Sequence, residues 1–132
     1  MKIRLFIATS LAALALPALA DDTELGKKMD ELNDHYKSIR REEDPAKGAV
    51  SAREAQKLIA ASLEMEPAML ANVKGPAKAN ALAMYRQLMG ESYVILCKIE
   101  QAYLAKDMDK AAELYAQLKE LRKVGHDKFV ED

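Results

Sequence analysis

Two side chains in this sequence, the thioether of Met29 and the imidazole of His126, could bind a metal from opposite ends of the chain. His126 is one of 2 histidines and falls within Gln117 to Phe129, QLKELRKVGHDKF. Leu114, Leu118, Leu121 and Phe129 recur there at helical spacing, and at 100° per residue Phe129 returns to within about 20° of Leu118. They form a core-facing stripe. His126 lies about 80° from Leu118, at the edge of that stripe, so its imidazole can reach inward while its outer side meets solvent. Arg122, one turn earlier on the same side, can present a guanidinium to a carboxylate of whatever the imidazole holds.

The elements that must position these groups are helices. The first is expected from Thr23 to Arg41, with Leu25, Met29, Leu32, Tyr36 and Ile39 as its stripe, Asp22 or Thr23 as N-cap, and Asp44-Pro45 and Gly48 closing it. The second is expected to open at a capping box, Ser51-Ala52-Arg53-Glu54, and to carry Ala55, Leu58, Ile59, Ser62 and Leu63 toward a stop near Pro67. A linker from Pro67 to Pro76 includes Met69, Leu70, Val73 and Gly75, with room for one helical turn. The third helix is read from Ala77 to Ala105, with Leu82, Tyr85, Leu88 or Met89, Ser92, Leu96, Ile99 and Tyr103 spaced three or four apart. A tight connection at Lys106 to Asp109 leads into the fourth, Asp109 to Val130. Four helices with short links and no strand pattern predict an all-α fold, an antiparallel up-down-up-down four-helix bundle.

Composition narrows the setting. Of the 132 residues, the first 20, MKIRLFIATSLAALALPALA, read as a secretory signal: Lys2 and Arg4, an apolar run from Leu5 to Leu16, then Ala18-Leu19-Ala20. The run is too short to span a membrane, and no later stretch approaches the roughly 20 apolar residues a crossing needs. Residues 21–132 are expected as one exported, soluble domain without membrane insertion, large enough to bury a little over 60% of its unfolded surface. The formal charge of −1 becomes more negative once Lys2 and Arg4 leave, which argues against nucleic acid as a partner. Cys97 is the only cysteine, so no intramolecular disulfide can form despite an oxidising destination.

Up-down topology puts the start of the first helix and the end of the fourth at the same end of the bundle, where Met29 and His126 agree in height to within roughly 3 Å. A thioether and a neutral imidazole facing across a gap between helices suit haem iron, whose His/Met axial pair is low-spin and raises the reduction potential. With both axial positions filled, such a centre passes electrons and does little chemistry on ligands. The single Cys97 excludes a Cys-x-x-Cys-His attachment, so the haem would be non-covalent.

Leu25-Gly26-Lys27-Lys28-Met29-Asp30-Glu31-Leu32-Asn33-Asp34, together with Gln117-Leu118-Lys119 running through Arg122 to His126, resembles the soluble periplasmic cytochrome b-562 proteins over nearly all of the exported chain. The resemblance implies Met29 and His126 as axial ligands of one haem b per chain, with Arg122 over the haem. It also places Tyr85 and Met89 where the family packs phenylalanine against the ring, while Leu32 is assigned to the same cofactor surroundings. Gly125 departs from the larger residue the family pattern carries. The protein so implied is a monomeric periplasmic electron carrier, not an enzyme, working between unidentified redox proteins.

Other readings stand beside this one. Without the resemblance, Met29 is a core methionine and His126 a charge at a helix C-terminus. His35 is assigned to the solvated face, and Arg122 could pair with Glu120 or Asp127. Met65 and Met69, with Met84, Met89 and His126, offer soft ligands to cuprous ion, although Pro67 interrupts the helix that would align them. A haem-free bundle that binds only a protein partner is the third possibility. An enzyme has the least support, because the sequence holds no Ser/His/Asp set, no paired carboxylates with a nucleophile and no phosphate loop.

Overall fold

The structure is a computed structural model that describes residues 23–130, and the expected signal segment lies outside the described residues. Among them are four α-helices, one short 3-10 turn and no strand. Helix α1, Glu24–Arg41, starts at Thr23, whose hydroxyl accepts from the Gly26 amide at 3.0 Å, and ends with Arg40 and Arg41 against the carbonyl end of its dipole. Its expected stripe is its buried face. Leu32, Tyr36 and Ile39 are buried, and Leu25 and Met29 are half-buried.

Helix α2, Pro45–Ser62, begins earlier than the capping-box pattern implies. Asp44 is the cap, its carboxylate accepting from the Ala46 amide at 2.9 Å, and Pro45 takes the first turn, where its missing N–H costs nothing. Asp44, Pro45 and Gly48 therefore open α2 instead of closing α1. Ser51 and Glu54 are interior helical residues, and Glu54 accepts from the Lys57 ammonium at 2.7 Å. Gly48 has a further reason to be here: a Cβ built on it would lie 2.5 Å from Cε1 and Cζ of Tyr103. That ring lies across the first turn of α2, and its hydroxyl donates to the Ile39 carbonyl at the end of α1 at 2.9 Å.

The linker contributes the 3-10 turn, Ala68–Leu70, which buries Leu70. Helix α3, Gly75–Leu104, starts with Gly75 at φ +65° and Pro76 in its first turn. Met89, and not Leu88, is the buried member of its stripe. The Tyr85 hydroxyl donates to the Ser62 carbonyl at 2.7 Å, which fixes the start of α3 against the end of α2. Lys106 turns the chain at φ 59°, and Asp107 caps α4, Met108–Phe129, by accepting from the Lys110 amide at 3.0 Å. The Tyr85 and Phe129 rings meet edge to face, so the end of α4 returns to the level of Tyr85, about 15 Å along α3 from its start.

These tethers give the expected up-down-up-down order. Consecutive helices pack along their lengths, whereas α1 and α4 meet only sparsely. The core between them is one cluster that includes Leu32, Ile59, Tyr85, Met89, Leu96, Ile99 and Leu118. Its polar members are satisfied: Gln56 donates to the Leu96 carbonyl at 3.3 Å and to Glu100 at 2.8 Å. The α1–α4 seam is thus the one side of the bundle that the protein's own side chains leave loosely joined.

Candidate functional site

Met29 is half-buried near the start of α1, and Leu32 is buried one turn further on. Tyr85 and Met89 are buried on α3. Leu32, Tyr85 and Met89 share the core cluster, and Met29 and Phe129 pack against it. Arg122 and His126, one turn apart on α4, lie outside the cluster and are exposed.

Electrostatics tie the exposed pair to the far side of the seam. Burial pushes the Tyr36 phenol well above its usual range, and the positive charge of Arg122 works against that rise. The Arg122 charge therefore reaches a residue of α1. His126 follows Arg122 at i+4 on α4. Loss of hydration first, and the Arg122 charge second, hold its imidazole below the ordinary histidine value, with Asp127 opposing them. At neutral pH the ring is neutral, with a lone pair to donate. Met29 is about 7.5 Å along α1 from its first residue and His126 about 4.5 Å from the last residue of α4, so both sit within two turns of the same bundle end.

The residues present fit a flat, largely apolar cofactor bound through iron. An imidazole on α4 and a thioether on α1 offer neutral donors, and these two helices are the pair that meets only sparsely. Leu32, Tyr85 and Met89 offer apolar walls from the adjoining core, and Arg122 offers a cation for an anionic substituent. A Cβ added at Gly125, directly before His126, would meet nothing within 4 Å. A family model described as Cytochrome b562 matches residues 24–130. The chain belongs to the cytochrome b562 family. Neither the curated proteins nor the solved structures gave a match.

Membership in the cytochrome b562 family bears out the resemblance read from the two end motifs, and with it the four-helix bundle. The family is one of haem-binding electron carriers. Sequence reasoning gave Tyr36 a packing role alone, yet among the tyrosines it is the one on which Arg122 acts. Helical spacing places Tyr36 seven residues beyond Met29 on one stripe, but which neighbour that stripe meets is not written in the spacing. His35 departs from the expected solvated face: it is half-buried. Arg122 forms no ion pair with Glu120 or Asp127 among the described residues. Met65 and Met69 do not share a helix, because α2 ends at Ser62 and the turn holding Met69 begins after Pro67.

Proposed function

We propose that this chain is a periplasmic electron-transfer protein that holds one non-covalent haem b between Met29 and His126. The observation that carries the reading is the family match across residues 24–130, supported by the sparse packing of α1 against α4, the two helices that carry these residues. Met29 and His126 would hold the haem iron, which would supply a one-electron couple. The chain's own residues supply the rest.

Met29, seated against the core, offers its sulfur from a helix whose start is fixed by the Thr23 cap. Partial loss of hydration and the Arg122 charge disfavour protonation of His126, which favours the neutral ring that can offer a nitrogen lone pair. Arg122 positions an anionic edge of the cofactor, and Leu32, Tyr85 and Met89 exclude water from its inner faces. No helix among the described residues is long and apolar enough to cross a membrane. The family's periplasmic setting agrees with the signal pattern of residues 1–20. One chain suffices for the proposed site, so a monomer is the working unit, passing electrons between redox proteins whose identity the site does not define. Ligand binding to the folded state adds stability, about 2.7 kcal/mol with free haem at 100 times its dissociation constant.

The test is the reduced visible spectrum of the exported protein and of Met29→Ala and His126→Ala. Loss of the low-spin bands in both variants is expected. Unchanged spectra would remove the two residues from the ligand set.

A further inference from the structure

Lys119, Arg122, Lys123 and His126 stand at i, i+3, i+4 and i+7 on α4, a spacing that collects them on one face over about 10 Å of helix. All four are exposed. Lys119, Arg122 and Lys123 form no ion pair among the described residues. Of the acids in this half of α4, Glu120 projects about 100° from Lys119, whereas Asp127 follows Lys123 at i+4 and its charge acts on His126. A net acidic chain thus carries a local cationic ridge, and it carries it beside His126.

We infer that this ridge is the docking surface for a redox partner protein that presents a patch of carboxylates. The inference rests on the proposed haem site, because the ridge gains its meaning from lying where the electron leaves. Arg122 has a task toward the cofactor in that reading, whereas Lys119 and Lys123 have none within the chain. Opposite charge at the exit orients encounters and raises their rate, an effect that weakens as salt screens it. A nucleic acid would require a wider basic excess than this chain has.

The experiment uses the haem-loaded protein and the double variant Lys119→Glu with Lys123→Glu. The reduced spectrum is recorded first, and oxidation by anionic hexacyanoferrate(III) and by cationic tris(phenanthroline)cobalt(III) is then followed at increasing ionic strength. Amide shifts are mapped during titration with a polyglutamate peptide and with anionic phospholipid vesicles. The expected result is an unchanged spectrum in the variant, with the anionic oxidant slowed by salt in the parent and slowed on the order of tenfold by the substitutions at low salt. Peptide-induced shifts should cluster from Tyr115 to His126 and vanish in the variant. A net negative protein without a local ridge would show the opposite salt trend, which overturns the ridge while the spectrum leaves the haem reading standing. Scattered peptide shifts, or a response to vesicles alone, also overturn it. Absence of the low-spin spectrum in the parent removes both proposals.

Discussion

The rings of Tyr85 and Phe129 lie edge to face with centroids 5.8 Å apart and planes at 83°, joining the early part of α3 to the last residue of α4. Phe129 closes the turn that contains His126, and the Val130 amide donates to the His126 carbonyl at 3.1 Å. The pair therefore holds the turn that bears the proposed ligand. Replacing Phe129 by alanine removes the aromatic contact and part of the apolar cover, an expected loss of about 2 kcal/mol. A lower urea midpoint of the haem-free protein checks this, and weaker haem retention should accompany it. An unmoved midpoint would contradict the role given to the pair.

Gly48 tests the Tyr103 contact. Alanine improves helix propensity by about 1 kcal/mol, but here its Cβ would enter the Tyr103 ring, and such overpacking costs about 1–3 kcal/mol. Gly48→Ala is accordingly expected to destabilise. In a Tyr103→Ala background the same change should become neutral or favourable, a coupling that a double-mutant cycle measures directly. Additive effects would show that the two residues do not meet.

Gly125 presents the reverse case. No protein atom lies within 4 Å of the Cβ it lacks, so Gly125→Ala should stabilise the haem-free protein by up to about 1 kcal/mol. A glycine that the chain itself does not require, adjacent to His126, is expected to serve the cofactor, and the variant should hold haem less tightly. Comparing haem titrations of the two proteins decides it: equal affinity would assign Gly125 no part in the site.

Alkaline pH should weaken the fold in a defined window. Burial raises the Tyr85 phenol from 10.0 to about 12, and the Tyr36 and Tyr103 phenols are raised as well, each chiefly by burial. The folded state favours the neutral phenol, so this contribution is complete below the unfolded value of 10.0 and is lost as pH rises toward about 12. Urea midpoints measured across that interval should fall, and Tyr85→Phe should flatten the decline. A pH-independent midpoint would refute the linkage.

The opening of α2 shows where local reading gives way. Ser51 and Glu54 satisfy the capping-box spacing, yet that spacing also occurs inside helices, where Glu54 finds Lys57 instead of a free amide. Asp44 and Pro45 are equally good start signals. Tyr103, distant in sequence, lies against Gly48 and so packs over a first turn that begins before the box. The choice of Met89 over Leu88, and the partial burial of His35, likewise depend on how α3 and α1 are rotated against their neighbours.

The sequence by itself determined the number of helices, their apolar stripes, the up-down order and the end motifs that identify the family, because periodicity, caps and short links act over a few residues. Tertiary structure decided which flank of each stripe faces which helix, that Arg122 acts on Tyr36, and that α1 and α4 remain loosely joined while the other seams close. Those outcomes follow from helix rotation and spacing. Both are set by side chains packing from distant parts of the chain, and no local pattern encodes them.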